Sequence, residues 1–583
     1  MTWPPIRKPD AVRASATLGD YRRVVEEFSW DAERLALSGL PRGRGLNIAH
    51  EAVDRYAAGP RRDHAALRWV DRYDDTVDFT YAELAERSNR FADLLGKLGI
   101  PRGERVFTLL GRVPELYVAV LGALKAGCVL SPLFAAYGPQ PVRERLRLGE
   151  AGVLVTTPEL YRRKVREIRD SVPSLREVLV TGEVSEPGTL ALGPALAGSS
   201  PEYEIAAGEP DDPAFLHFTS GTTGSPKGVL QAHEAVLAQF VSARYALDLH
   251  PRDVLWCSAD PGGVTGMTYA VVAPLAAGIT TVSVDGGFDG RRWLSVLSTQ
   301  RVSVWYTEPA TLRTLMRRGA EPPAEHDLSA LRFVASGGEP LGAEAVVWGQ
   351  DALGTPVHDT WWQAETGAIT IANFAAEEVR PGSMGLALPG VEAGLVERGE
   401  DGKVRELGRE ERQAGELALR RGWPSMFRGY WRDPQRYNES FSDGWYLTGD
   451  IARRDEDGYF WFVGRTGDVI SANGYLVSPF EVESVLLRHP AVREAGVVGR
   501  PDPDEGELVK AFVALHAGYE PGEELRLELL SFGRRALGAL APREVAFEPR
   551  LPKTRSGKVL RRVLKARELG LAAGDPSTVE GMS

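Results

Sequence analysis

HFTSGTTGSPKGVLQAH, residues 217–233, crowds hydroxyl side chains, glycines, a proline and a lysine into one short span. Such a segment has too little apolar surface to serve as core. Before it, DDPAFLHF has the apolar residues of a strand; after it, VLQAHEAVLAQF suits a helix. The reading is therefore a strand-to-helix turn whose backbone N–H groups can surround a phosphate. Gly221 and Gly224 let the backbone approach a ligand closely. Ser220, Thr222 and Thr223 add hydroxyl donors, and Lys227 adds a mobile positive charge. A polar surface loop is the commoner meaning of such a stretch. The lysine and the strand-to-helix placement favour a nucleotide. The P-loop spacing G-x-x-x-x-G-K never occurs, so the fold is another one.

Outward from this loop the chain alternates strands and helices. Thr80 and Glu83 form a capping box before a helix carrying Leu84, Phe91, Leu94 and Leu95. VFTLL (106–110), PELYVAVLGALKAG and CVLSPLF read strand, helix, strand. VLVTT (153–157), a charged helix and EVLVTG (177–182) repeat the unit. Such alternation predicts α/β architecture, with parallel sheets covered by helices. Residues 183–212 read as a surface loop, and residues 1–45 as an extension. After WFVGRTGDVI (461–470) a smaller α/β pattern begins. The expected division is 1–465, then a C-terminal domain over 466–570, then a disordered tail over 571–583.

The net charge of -11 argues against nonspecific nucleic-acid binding. No apolar stretch reaches spanning length, and MTWPPIRKPDAVRAS lacks a signal core, which together favour a soluble cytoplasmic protein. Cys128 and Cys257 are the only cysteines, which excludes a disulfide scaffold and a thiolate zinc site.

TSGTTGSPKG resembles the signature loop of the adenylate-forming superfamily, which includes acyl-CoA synthetases, peptide adenylation domains and luciferases. DTWWQAETG (359–367), GWYLTGD (444–450), GRTGDVI (464–470) and LPKTRSGK (551–558) follow in that family's order. NIAHEAVDRY, the tryptophan pair and RPGSMGLALPGVEA most resemble acetyl-CoA synthetases and their short-chain relatives. The resemblance implies a large N-terminal domain of two α/β subdomains and a small β-barrel, and a mobile C-terminal α+β domain. It also implies two half-reactions. A carboxylate attacks ATP to give acyl-AMP and pyrophosphate, and coenzyme A then displaces AMP.

Residue roles carry over position by position. Glu365 would ligate Mg²⁺, a hard cation that needs carboxylate oxygen. Asp450 would accept from both ribose hydroxyls, with Arg465 opposite. Gly338, Glu339 and Pro340 would line the adenine. Thr219 to Gly224, Lys227, Asp359, Thr360, Trp361 and Gln363 would complete the nucleotide site. Lys558 would stabilise charge on the α-phosphate during transfer. Trp362, Val264, Thr265 and Gly337 would wall the acyl pocket, and Arg534 would grip coenzyme A. Arg162, Arg163 and Lys164 read instead as solvated helix charges.

Four positions depart from the family pattern. Gly337 replaces the usual valine, opening space of about three carbons, so propionate would fit beside acetate. Ala364 replaces a threonine, Leu476 an arginine, and Gly467 a charged hinge residue. These departures support a competing reading, an adenylating ligase for another acid, such as an aromatic one. In that reading a carrier protein could replace coenzyme A as acceptor. Trp362 opposes it by blocking a wide acyl group.

Overall fold

The computed structural model describes residues 3–183, 186–219, 226–317, 325–399, 403–408, 414–472, 475–502, 506–553 and 559–571. Two mostly parallel sheets dominate. In one, strands Val357–Trp361, Phe333–Gly337, Val304–Thr307, Val254–Cys257, Thr280–Val284 and Ala65–Val70 lie side by side and parallel. In the other, Pro213–Thr219, Val129–Pro132, Arg105–Leu109, Val153–Thr156, Glu177–Val180 and Leu190–Ala191 do the same. Helix Tyr81–Lys97 begins at the expected capping box and buries Leu84, Phe91, Leu94 and Leu95. Helix Pro114–Lys125 is apolar nearly all round and buried to match, packing against Tyr81–Lys97.

A six-stranded antiparallel sheet, including Ala393–Arg398, Gly415–Arg420, Trp445–Arg454 and Phe460–Arg465, takes the place expected for the small barrel. Its last strand ends at Arg465, and the next strand, Ile470–Ala472, belongs to a separate five-stranded sheet. That sheet is built on the long hairpin Val492–Asp502 and Gly506–Leu515 and carries helices Pro479–Leu486 and Glu523–Leu537 against it. Its core, including Ile470, Val482, Val497, Val513 and Leu529, draws on no residue before Ile470.

Three expectations need correction. The glycine-rich loop does not lead into a helix: Lys227–Ala232 is a strand antiparallel to Pro213–Thr219, and the helix starts at Ala235. The run VLQA is too short for its periodicity to separate strand from helix, and pairing with the preceding strand decides it. The loop is therefore the tip of a hairpin whose ends, Thr219 and Lys227, face each other in register. Residues 220–225 lie outside the described residues. The span 183–212 is not all loop, because Leu190–Ala191 extends the parallel sheet and Leu192 opens a helix with its side chain buried.

The opening segment is docked rather than appended. Ile6 exchanges backbone hydrogen bonds with Val379, at 2.8 and 2.9 Å. Lys8 Nζ donates to His358 Nε2 at 2.6 Å, Thr17 N to Asp248 Oδ1 at 2.7 Å, and Tyr21 Oη to the Ala387 carbonyl at 2.8 Å. Short helices over Asp10–Ser15, Tyr21–Glu27 and Trp30–Arg34 bridge these anchors, and Leu18 and Leu40 are buried. The expected tail beyond Leu571 lies outside the described residues.

Candidate active site

The site forms where the turn after strand Val357–Trp361 meets the antiparallel sheet and the base of the loop hairpin. That turn is pinned from several sides. Gln363 N donates to Thr366 Oγ1 at 3.0 Å, and Gln231 Nε2 donates to the Ala364 carbonyl at 2.7 Å. Trp423 Nε1 and Ser425 Oγ both donate to the Thr366 carbonyl. Gly367 has φ +70°, and a Cβ there would lie 2.3 Å from the Ser425 carbonyl oxygen, so only glycine closes the turn.

The turn presents Glu365, which is buried. Its Oε1 lies 2.6 Å from Lys227 Nζ and accepts a 2.8 Å hydrogen bond from Tyr430 Oη. Burial pushes its pKa up, but the Lys227 ammonium and the Tyr430 hydroxyl outweigh burial and hold the carboxyl below its ordinary value. Glu365 is thus ionised, with an ammonium beside it.

A second cluster surrounds Asp450. Trp361 Nε1 and Gln363 Nε2 donate to Asp450 Oδ2 at 2.9 and 3.1 Å. Arg465 Nε lies 2.8 Å from Oδ1, across the strand pair in which Asp450 and Arg465 are register partners. Tyr446 Oη donates to Gln363 Oε1 at 2.8 Å, which fixes the amide with its NH₂ toward Asp450. The carboxylate is buried and aimed by three donors.

The strand end at Gly337 leads into Gly338, Glu339 and Pro340. Gly338 has φ +92°, a left-handed conformation that favours glycine, and open space where a Cβ would stand. Glu339 does not present a free carboxylate there, because Arg313 pairs with it at 2.7 Å. Asp359 is buried, and burial raises its pKa well above the ordinary value. Thr360 turns its hydroxyl to the Ser336 carbonyl at 2.8 Å. Trp362 is buried, with Val264 packed on the same cluster, and Thr265 is half-buried beside it.

The expected opening at Gly337 is not there. A Cβ at this residue would lie 2.5 Å from Tyr306 Oη and 2.5 Å from Thr360 Oγ1. The volume of the missing valine is filled by the Tyr306 hydroxyl, which the sequence pattern does not reveal because Tyr306 comes from a neighbouring strand.

Ser220, Gly221, Thr222, Thr223, Gly224 and Lys558 lie outside the described residues. Thr219, at the base of the loop, has a buried hydroxyl without a partner among the described residues. Arg534 is exposed on helix Glu523–Leu537 and does not join the clusters above. Arg162 pairs with Glu186 and Arg163 with Glu159, as expected for surface charges. Leu476 is exposed, an apolar side chain in water. Gly467 leaves open space around a hypothetical Cβ, so this conformation does not itself demand glycine.

Tyr430, Tyr446 and Tyr306 are site residues that motif reading did not single out. Tyr446 stood inside the quoted GWYLTGD; Tyr430 and Tyr306 adjoin Trp431 and Trp305 in no motif, and only the packing places them.

The donor set suits a magnesium–nucleotide. Glu365 is ionised and already faces a cation, the Lys227 ammonium, so a divalent ion bridged to phosphates meets the oxygen chemistry it needs. Among the described residues no three His, Cys, Asp or Glu side chains gather into a metal cage. A magnesium ion here would take its remaining ligands from phosphate and water.

Two mostly parallel sheets thus bring a carboxylate–lysine pair and a caged aspartate together on one turn, ahead of a small separate sheet. Residues 53–431 match the family described as AMP-binding enzyme, and residues 481–558 match the AMP-binding enzyme C-terminal domain. The chain belongs to the AMP-binding enzyme family. It is 44% identical over 575 residues to an acetyl-coenzyme A synthetase of Bacillus subtilis (strain 168), covering 98% of this chain and 99% of that one. An acetyl-coenzyme A synthetase of Methanothrix thermoacetophila is 37% identical, covering 92% of this chain and 85% of that one. A Brucella canis acyl-CoA synthetase structure superposes with TM-score 0.72 at 35% identity, covering 94% and 99% of the two chains. The anthranilate CoA ligase AuaEII, solved with anthranoyl-AMP, gives TM-score 0.80 at 27% identity, covering 90% and 98%.

Proposed function

We propose that this chain is an AMP-forming acid–thiol ligase that activates acetate with ATP and transfers the acetyl group to coenzyme A. A carboxylate oxygen attacks the α-phosphorus, the α–β phosphoanhydride bond breaks, and pyrophosphate leaves. The coenzyme A thiol then attacks the acyl carbon of acetyl-AMP, loses its proton, and AMP departs. Bound magnesium supplies charge neutralisation on the phosphates.

The observation that carries the reading is the placement of Trp362 between two charged clusters on one turn, with Glu365 three residues on and Gln363 bonded to Asp450. Glu365 and Lys227 serve the phosphate end. Lys227 moves its ammonium from the carboxylate to phosphate oxygen when nucleotide arrives. Asp450, aimed by Trp361, Gln363 and Arg465, accepts from the ribose hydroxyls. Gly338 and Pro340 flank the adenine, and Asp359 and Thr360 hold the strand beneath it. Thr219 and the residues up to Gly224 donate to phosphate, and Lys558 stabilises the transferring group. Arg534 is the proposed contact to coenzyme A. The C-terminal domain is assigned to 466–570, after the change of sheet at Arg465, with Gly467 as its pivot. Free ATP and coenzyme A as substrates support a cytoplasmic location. Among the described residues no helix is long and apolar enough to cross a membrane.

Pyrophosphate release, measured over acetate, propionate, butyrate and benzoate with and without coenzyme A, tests this. The reading expects rapid turnover on acetate only when coenzyme A is present. Turnover on benzoate alone, or only with a carrier-borne thiol, would replace it.

A further inference from the structure

Three buried side chains form one directed chain of hydrogen bonds behind the acyl pocket. Thr360 Oγ1 donates to the Ser336 carbonyl at 2.8 Å, so toward Tyr306 it acts as acceptor, at 2.9 Å. The Tyr306 hydroxyl, its proton directed to Thr360, accepts from Trp362 Nε1 at 3.0 Å. Tyr269 braces both rings edge-on, with centroids 5.3 Å from Tyr306 and 5.3 Å from Trp362. Tyr269 is itself held, its hydroxyl accepting from Ile369 N at 2.7 Å and bonded to Ser242 at 2.8 Å.

Gly337 is what makes this chain of bonds possible. It is the register partner of Thr360 on the adjacent parallel strand. Any Cβ at position 337 would stand 2.5 Å from both the Tyr306 and Thr360 oxygens, closer than non-bonded atoms come. Tyrosine hydroxyl and β-carbon compete for one volume, and in this chain the hydroxyl has it.

We infer that Tyr306 is the acyl-specificity residue of this enzyme: its hydroxyl takes the wall position that Gly337 vacates and fixes the Trp362 indole by a hydrogen bond. The inference rests on the acetate reading above and deepens it. The wall is polar and doubly tethered rather than aliphatic. To admit an extra methylene the protein must break the Trp362–Tyr306 bond in a dry interior, where an unpaired donor and acceptor are costly. Glycine at 337 therefore tightens selection for acetate instead of relaxing it.

Tyr306→Phe removes the hydroxyl and leaves the ring. The expected result is a rise of ~10-fold or more in the propionate-to-acetate ratio of kcat/KM, the lower end of what one methylene is worth in a pocket. Thr360→Val, which removes the acceptor that orients Tyr306, shifts the ratio the same way by a smaller factor, and it decides the matter if Tyr306→Phe does not fold. A structural injury lowers turnover on both acids together and leaves the ratio unchanged. An unchanged ratio in folded variants overturns the inference. If the unsubstituted enzyme itself turns over neither acid, the acetate reading is what fails.

Discussion

Glu365 is a buried carboxylate kept ionised by its neighbours, and its charge depends on Lys227. Its pKa lies below that of the unfolded chain, so the pair's contribution to stability is complete above the ordinary carboxylate range and is lost as pH falls through the lowered value. Lys227→Met leaves burial unopposed except by Tyr430. The acid limb of the pH profile of kcat/KM then moves to higher pH, and a titration of initial rates checks it. At Asp450, Asn keeps one acceptor but loses the ion pair with Arg465 and the charge proposed to face the ribose. The expected loss in kcat/KM for ATP is roughly 10- to 100-fold, the value of a charged hydrogen bond of ~1.5–3 kcal/mol. A KM for acetate that rises as much as that for ATP would contradict the ribose assignment.

Among the elements, the strand Val357–Trp361 is supported on its far side by the opening segment. His358 Nδ1 donates to the Val334 carbonyl at 2.9 Å, which leaves Nε2 to accept from Lys8. Burial pushes the Lys8 pKa down to about 7, against the pull of Asp248 and Glu377. The folded chain thus holds this proton less tightly than the unfolded one. Stability attributable to Lys8 rises with pH between about 7 and about 10 and is flat below. Relative to Lys8→Met, the unsubstituted protein gains thermal stability across that window, which melting curves at several pH values detect. The sequence showed no part of this. Lys8 sits among prolines and charges with no periodicity, and its partner lies far along the chain. The parallel strands were legible because their residues are buried on both faces and read as continuous apolar runs. The loop hairpin was not, since an antiparallel partner, rather than local pattern, makes Lys227–Ala232 a strand. Asp450 and Glu365 were legible only through motif resemblance, and Tyr306 through neither route.

At the scale of the molecule, the chain folds around separate cores, and the change of sheet between Arg465 and Ile470 leaves few strands to share. A fragment ending at Arg465 is expected to fold, to be stabilised by ATP in a thermal-shift measurement, and to release no acid-dependent pyrophosphate, since Lys558 is gone. Failure of ATP to raise its melting temperature would mean that the C-terminal domain helps to build the nucleotide site. The docked opening segment sets an order on biosynthesis. Lys8 and His358 are 350 positions apart. At ~5–20 residues per second, the ribosome needs roughly 20–70 s to make one after the other. Until His358 and Val379 are made, Lys8 and Ile6 have no native partner to meet, so this stretch is translated long before the surface that holds it.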